Sequence, residues 1–171
     1  MRQNKNILFI SRVGLFAALL CLSAWLYLPF AVPVTLQSFV LFWMLGTMKP
    51  KVSLTALLVY LSLGAVGLPV FGGFQGGIGV ILGPSGGFLL GFIPCALLCA
   101  PLFPKAKRIS LRIAVGVLGT VILYLCGAIW YTFVYGNGDA FAVCVLPFLL
   151  PDAVKIVLAA TLSEKLGRFI Q

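Results

Sequence analysis

Residues 141–162 read FAVCVLPFLLPDAVKIVLAATL, an apolar stretch that contains two charged side chains, Asp152 and Lys155. The stretch has 22 residues, and a helix of about 20 residues crosses the hydrocarbon core of a bilayer. An acid and a base three residues apart lie on one face of a helix. Each ionisable group inside a membrane costs at least about 2.5–3.5 kcal/mol. The sequence therefore predicts a membrane helix with a polar site that faces a cavity or the interior of a helix bundle.

The composition places the rest of the chain in a membrane as well. Of its 171 residues, 62% are hydrophobic and only 9% are charged, and no charged residue occurs between Val52 and Pro104. In a soluble domain roughly a quarter of the residues are charged. The basic residues fall between apolar stretches and do not form a polar face, so the net charge of +9 indicates membrane topology and not nucleic acid binding.

Six stretches are apolar enough to be membrane helices. The second and third have only 16 residues each, which predicts tilted helices or a locally thin membrane. The six stretches are Val13–Phe30, Pro33–Met48, Ser53–Leu68, Gly86–Phe103, Ile113–Tyr135 and Phe141–Leu162.

The distribution of basic residues supports this count of six. Eleven of the twelve Lys and Arg residues lie at the termini, between the second and third stretches, or between the fourth and fifth, and the twelfth is Lys155. Because cytoplasmic loops are enriched in Lys and Arg, both termini are expected in the cytoplasm. A signal peptide is the alternative for the N-terminus, but the lack of a clear cleavage site before Phe30 favours a retained helix. We expect an all-α, polytopic protein of the cell membrane, with six transmembrane helices in one domain over residues 1–171.

The connections without Lys or Arg are expected outside, at Ala31–Val32, Pro69–Ser85 and Gly136–Ala140. Around the second of them, residues 69–87 read PVFGGFQGGIGVILGPSGG, a segment rich in glycine yet apolar. Glycine lets the backbone approach a ligand closely, and irregular backbone at membrane depth is tolerated only where it is buried in protein or lines a cavity. A flexible solvated linker is the alternative, but such linkers are polar. We expect an outer lid that caps the site.

Two prolines, Pro147 and Pro151, interrupt the last stretch. Each disfavours a helical conformation in the residue before it. A helix that begins near Pro151, with Asp152 in its first turn, is therefore an alternative to one continuous helix. Both interpretations place Asp152 in the outer half of the membrane, on the same side as the glycine-rich segment.

The sequence lacks the residues that several classes of function require. There is no histidine, and the five cysteines lie in apolar stretches. A zinc or haem site needs more ligands than this, and no nucleophile and base form an arrangement typical of an enzyme. Gly77-Ile78-Gly79 is not followed by the Lys-Ser or Lys-Thr of a phosphate-binding loop. The sequence thus indicates no cofactor and no ATP site, so active transport needs another subunit or an ion gradient.

Three further features have both a structural and a functional interpretation. Thr35 and Gln37 either contact a ligand or satisfy backbone groups at a helix start. Trp130 and Tyr131 either belong to the aromatic belt at the membrane surface or stack on an apolar ring. The small-residue pair of Gly14-x-x-x-Ala18 allows close helix packing, inside the bundle or with a partner.

Four segments of the chain, taken in order, resemble one family of membrane proteins. They are PVTLQ at 33–37, GLPVFGG at 67–73, GPSGGFLLGF at 83–92 and PFLLPDAVK at 147–155. Together they resemble the BioY family, the biotin-capturing S components of energy-coupling-factor (ECF) transporters. The resemblance implies six membrane helices with both termini inside, and a pocket that binds biotin from the outside beneath outer loops.

The resemblance also implies roles for particular residues and partners. The family's pocket-lining Asp and Lys match Asp152 and Lys155, and the small pair that docks the coupling subunit matches Gly14 and Ala18. Partner ATPases would supply energy through that coupling subunit, whereas a solitary member would act in the lipid membrane alone or as a homo-oligomer. The usual family sequence GPTGGY reads GPSGGF here, so a tyrosine hydroxyl is missing at Phe88.

Biotin suits this set of residues chemically. Its ureido ring has two N–H donors, which Asp152 can accept, while Lys155 either donates to a ligand oxygen or keeps Asp152 ionised. The expected substrate contacts are Asp152, Lys155, Thr35, Gln37, Phe71, Gly73, Gln75, Gly76, Gly83, Ser85, Trp130 and Tyr131. Two alternatives stay open here: an S component for another vitamin, and a structural or assembly subunit in which Asp152 and Lys155 form only a buried ion pair.

Overall fold

The computed structural model describes residues 2–30, 32–136 and 139–170, with side chains from residue 5 to residue 167. The described part is mainly helical. Its elements in chain order are α1 (Arg2–Trp25), β1 (Tyr27–Leu28), β2 (Val34–Thr35), α2 (Gln37–Thr47), α3 (Pro50–Ala65), α4 (Ile78–Ile81), α5 (Gly86–Cys99), a 3₁₀ turn (Phe103–Lys105), α6 (Ile109–Tyr135), α7 (Ala140–Cys144) and α8 (Leu146–Ile170). Ala31, Asn137 and Gly138, which belong to two of the expected outer connections, lie outside the described residues.

Four helical segments of the described residues are long and apolar enough to cross a membrane. They are Lys5–Trp25, Gly86–Lys105, Ile109–Tyr135 and Ala140–Gly167. Two shorter helices accompany them, α2 with 11 residues and α3 with 16. These lengths support a multi-pass membrane protein. They establish four segments long enough to cross a membrane, whereas the sequence led us to expect six.

The chain differs from the expectation most between the first two apolar stretches. α1 ends at Trp25, and the following residues form a small antiparallel hairpin, in which Tyr27 pairs with Thr35 and Leu28 pairs with Val34. The fold is therefore not purely α-helical. Pro29 and Pro33 explain the change, because each disfavours helix in the residue before it. α2 in turn begins only at Gln37.

The last apolar stretch forms two helices that meet at Val145, where the backbone leaves the helical region (φ −122°, ψ −56°). α8 begins at Leu146, so Pro147 lies in its first turn, where a missing N–H is tolerated. Pro151 lies inside α8. The alternative of a helix that begins near Pro151 is therefore wrong, and Asp152 lies in the second turn of α8.

The short helix α2 lies at the centre of the bundle. Eight of its residues are buried, as expected of a helix that is apolar on all sides. Glycines on its neighbours allow this close packing: a Cβ atom at Gly119 of α6 would lie 2.5 Å from the ring of Phe42, and one at Gly46 of α2 would lie 2.5 Å from Cβ of Ser163 on α8. The central position brings the start of α2 beside the acid and base of α8.

Candidate functional site

A cavity of about 50 Å³ lies at the start of α2, between β2, α5, α6, α8 and the segment that follows α3. It is mostly apolar, with a few polar groups in its wall. Apolar walls with a few placed polar groups are typical of small-molecule sites. The wall consists of Val32, Pro33, Thr35, Gln37, Ser38, Phe71, Gly72, Ser85, Phe88, Leu89, Phe92, Leu123, Tyr124, Phe148 and Asp152.

Asp152 and Lys155 form an ion pair beside this cavity. Nζ of Lys155 lies 2.9 Å from Oδ1 of Asp152, as their spacing on one helix face predicted. The two residues are only 4% and 6% exposed. A charged pair at such depth is retained only where further hydrogen bonds satisfy both groups, so their other partners decide what the site can do.

The three N–H donors of Lys155 all have partners within the protein. Besides Oδ1 of Asp152, the ammonium donates to the backbone carbonyl of Thr35 at 2.6 Å and to Oγ of Ser38 at 3.3 Å. Among the residues described around the cavity, Lys155 is not part of the wall. Its position supports a role as the counter-ion of Asp152 and in fixing β2.

The carboxylate of Asp152 has acceptor capacity left. Its Oδ1 accepts from Lys155 and from Oγ of Ser38 at 3.0 Å, whereas its Oδ2 accepts only from the hydroxyl of Tyr124 at 3.1 Å. A carboxylate oxygen can accept two hydrogen bonds. Oδ2 therefore keeps one lone pair for a donor in the cavity, which Asp152 and Tyr124 both line.

A second polar chain fixes the start of α2. The hydroxyl of Thr35 donates to Oε1 of Gln37 at 2.8 Å, and Nε2 of Gln37 bonds the hydroxyl of Tyr60. Tyr60 is fully buried on α3. Gln37 is thus held by the protein itself, which leaves it less free for a ligand than the sequence suggested.

Aromatic rings form two sides of the cavity. Phe88 of α5 and Phe148 of α8 are stacked with their centroids 5.2 Å apart, and Tyr124 meets Phe148 edge to face. Opposite them, Phe71 is fully buried and packs edge-on against Tyr60. The position where this sequence lacks the family's tyrosine therefore supplies an apolar ring to the wall.

The glycine-rich segment is fastened to the bundle at several points. The N–H of Gly77 donates to the carbonyl of Gly64 at 2.7 Å, and the indole of Trp130 donates to the carbonyl of Gly83 at 3.1 Å. The indole of Trp25 donates to the carbonyl of Pro69 at 2.8 Å. Such anchoring is typical of a cap and not of a solvated linker, and it places Phe71 and Gly72 over the cavity.

The structure brings some of the expected contact residues together at the cavity and places others elsewhere. Asp152, Thr35, Gln37, Phe71 and Ser85 are in the wall. Gly76 packs against the carbonyl of Leu68, Gly83 holds Trp130, and Tyr131 stacks on Tyr135. Gln75 is exposed, and Gly73 faces the ring of Tyr27. Within the described residues, the members outside the wall are Lys155, Gly73, Gln75, Gly76, Gly83, Trp130 and Tyr131.

The sequence did not predict two polar groups of the site. Ser38 and Tyr124 both bond the carboxylate of Asp152, but they lie 114 and 28 residues away from it along the chain. A signal existed for Tyr124, because a phenol in the middle of a long apolar membrane helix needs a partner. Ser38 carries no comparable signal, since serine is common at helix starts.

Gly64 controls the position of Phe71. A Cβ atom at Gly64 would lie 2.0 Å from Cζ of Phe71. We expect Gly64→Ala to displace this ring and to lower the melting temperature by several degrees, since overpacking a core costs about 1–3 kcal/mol. Gly14→Ala is the matched control, because a Cβ atom there meets nothing within 4 Å. Equal melting temperatures for both variants would show that Phe71 is not fixed by this contact.

The model of the BioY family matches residues 1–171. The chain belongs to the BioY family. A probable biotin transporter BioY of Pyrococcus horikoshii is 39% identical over 158 residues, which cover 92% of this chain and 94% of the relative. The biotin transporter BioY of Thermotoga maritima is 38% identical over 159 residues, covering 92% and 94%.

One solved structure has the same fold. It is the crystal structure at 2.1 Å of the S-component for biotin from an ECF-type ABC transporter, with a TM-score of 0.89 and 24% sequence identity. The likeness covers 98% of this chain and 95% of that one. Membership of the BioY family confirms the resemblance seen in the sequence and the expectation that the chain is not an enzyme.

Proposed function

We propose that this chain is a biotin-binding S component that captures the vitamin from outside the cell for uptake by an ECF-type transporter. The observation that carries the proposal is the carboxylate of Asp152, buried in the wall of an otherwise apolar cavity with one oxygen incompletely bonded. Relatives at 39% and 38% identity are named as biotin transporters, which supports biotin over other ligands.

Each part of biotin has a matching group in or beside the cavity. A ureido N–H donates to Oδ2 of Asp152, beside the hydroxyl of Tyr124. The thioether ring packs against the stacked rings of Phe88 and Phe148. The carboxylate of the valerate chain lies toward Ser85, whose side chain makes no capping hydrogen bond to α5. The hydroxyl of Ser85, in the cavity wall, can donate a hydrogen bond to that carboxylate.

The cavity has to enlarge to admit biotin. Its volume of about 50 Å³ holds only a few water molecules, whereas a bicyclic vitamin with a side chain is several times larger. The groups that can move are those of the outer cap, because Phe71 and Gly72 belong to the glycine-rich segment and Val32 and Pro33 to the hairpin. The proposed ligand-free state is therefore closed, and binding requires the cap to lift.

The proposed topology has six membrane crossings, with both termini in the cytoplasm of the cell and the cavity at the outer side. One contact supports it. The guanidinium of Arg112, at the start of α6, donates to the carbonyl of Gly46 near the end of α2 and to Oγ of Ser163 on α8 at 3.0 Å. These three helix ends are the ones that the basic residues assign to the cytoplasm. α2 alone is about 16 Å long, so its crossing includes the extended residues before it.

The proposed partners are biotin, membrane lipid, and the coupling and ATPase subunits of an ECF transporter. Gly14 and Ala18 are both exposed on α1, and nothing in the described structure lies within 4 Å of a Cβ atom at Gly14. Small exposed residues one turn apart permit the close approach of a partner helix. If the chain acts without those subunits, the same face is available to a second copy.

Gly14→Trp and Ala18→Trp are expected to prevent most co-purification of co-expressed coupling and ATPase subunits, because each fills the gap that the partner helix needs. Biotin binding by the isolated chain should be unchanged, since neither residue is near the cavity. Val117→Trp is the control, at an equally lipid-facing position on α6 where the native side chain is 49% exposed. Normal co-purification of both α1 variants would place the docking face elsewhere.

The proposed ligand is tested by the melting temperature of the purified chain with biotin, biotin methyl ester, riboflavin or thiamine. A ligand at one hundred times its dissociation constant stabilises by about 2.7 kcal/mol, which corresponds to several degrees. Biotin is expected to give the largest shift. A larger shift with another vitamin would favour an S component for that vitamin, and the lack of any shift would favour a structural subunit.

A further inference from the structure

We propose that the turn between α5 and α6, together with the first half of α6, is a binding site for one anionic phospholipid. A groove of about 320 Å³ runs along this surface. Its wall is apolar except at one end, where Lys105 stands, and includes Leu102, Leu111, Ala114, Val115 and Leu118. This site is separate from the biotin cavity and does not depend on which vitamin the chain binds.

The groove has the shape and direction of an acyl chain. Leu111, Ala114, Val115 and Leu118 are spaced three, four and seven residues apart, which places them on one face of α6. Leu111 and Leu118 are two turns apart, about 10 Å along the helix axis. The axis of a membrane helix runs roughly along the bilayer normal, so the groove points from the polar turn into the hydrocarbon core, as a lipid tail does.

The polar end of the groove carries an excess of positive charge. Lys105, Lys107 and Arg108 are all exposed, and none of them belongs to the ion pair of Asp152 with Lys155. Arg108 directly precedes α6, whose first backbone N–H groups have no side-chain cap and add to the attraction for a phosphate. The charge of this end therefore complements an anionic headgroup and repels a cationic one.

The turn is held rigidly, so the site exists before the lipid arrives. Phe103 and Ala106 are 1% and 4% exposed. Nε of Arg112 donates to the carbonyl of Ala106 at 3.1 Å, and the same guanidinium bonds α8 through Ser163. Arg112 therefore makes its hydrogen bonds inside the bundle, whereas Lys105, Lys107 and Arg108 remain exposed. A fixed arrangement of charges binds a headgroup without the entropy cost of ordering the loop.

The test is native mass spectrometry of the full chain, incubated with phosphatidylglycerol and phosphatidylcholine that have identical acyl chains. We expect retention of one phosphatidylglycerol and little phosphatidylcholine. Each basic residue near an anionic headgroup strengthens binding by about fivefold, so the double substitution Lys105→Gln with Lys107→Gln should weaken retention on the order of twentyfold. Lys49→Gln with Lys51→Gln is the matched control, since those residues form the same exposed Lys-x-Lys pattern without such a groove, and it should change nothing.

A second variant tests the groove while all charges remain. Ala114 is exposed, so Ala114→Trp should fold normally but fill the groove and abolish retention. Equal retention by the parent and either site variant would overturn the proposal. Competition by glycerol 3-phosphate as effective as that by the lipid would also overturn it, because the site would then bind a soluble anion. A dimer mass in place of the lipid adduct would overturn it as well, because a second copy would then occupy the groove.

Discussion

Asp152→Asn is expected to weaken biotin binding by roughly ten- to one-hundredfold, since a hydrogen bond to a charged group contributes about 1.5–3 kcal/mol. The substitution keeps the shape of the side chain but removes the charge that accepts from the ureido N–H. Because Lys155 and Ser38 both donate to the Oδ1 position, the amide oxygen stays there and the NH₂ group takes the position of Oδ2, where it repels a ligand donor. Isothermal titration of the purified chain with biotin measures the change.

Asp139→Asn is the matched control for this substitution. Asp139 is the exposed residue that precedes α7, so the same change of acid to amide should leave biotin binding unaltered. Melting temperatures without biotin show whether Asp152→Asn still folds. Unchanged affinity in a folded Asp152→Asn protein would mean that this carboxylate does not contact the ligand.

Lys155→Met should destabilise the protein strongly, because it leaves the buried carboxylate of Asp152 without its counter-ion. Breaking a buried pair by removing one partner costs about 3–5 kcal/mol, which corresponds to a fall in melting temperature on the order of 10 °C. Lys165→Met on the same helix is the control, since Lys165 is exposed and its loss should have little effect. Thermal unfolding in detergent gives both values.

The double variant Asp152→Asn with Lys155→Met separates stability from function. With neither charge present there is no unpaired buried ion, so most of the lost stability should return. Biotin binding should stay weak, because the acceptor of the ureido N–H is still missing. Recovery of both stability and biotin affinity would show that the ion pair is structural only and that biotin does not bind at Asp152.

The sequence predicted the elements whose signal is local. α5 begins at Gly86 and α6 ends at Tyr135 as expected, because the apolar stretch and the glycines that bound it are visible in the chain. The contact between Asp152 and Lys155 was also predictable, since it needs only a helix and a spacing of three residues.

The elements that were missed depend on competition between local signals. Residues 27–35 form a hairpin although they are as apolar as the helices beside them, because hydrophobicity alone does not separate a strand from a helix end. The chain breaks at Val145, whereas the sequence left open either one continuous helix or a helix that begins near Pro151. A proline is tolerated in the first turn of a helix. Pro147 therefore lies in the first turn of α8, and Pro151 lies inside the same helix.

The sequence predicted the charged residues of the candidate site but not the residues that bond to them. Asp152 stands out from its apolar neighbours, but its partners Ser38 and Tyr124 come from two other helices. Which face of α2 or α6 meets α8 follows from packing of the whole bundle, such as the close approach of Gly116 to Ile156. The same reason explains why Gly73, Gly76 and Gly83 of the cap, which we expected to contact the ligand, lie outside the cavity wall in the described structure.

A structure of this chain with biotin bound shows whether Asp152 holds the ligand. We expect a ureido nitrogen within about 3.2 Å of Oδ2 of Asp152, with the ammonium of Lys155 still on Oδ1 and on the carbonyl of Thr35. We also expect Phe71 and the hairpin to have moved outward from their present positions. Biotin bound elsewhere, with both oxygens of Asp152 satisfied by protein groups alone, would contradict the proposed contact.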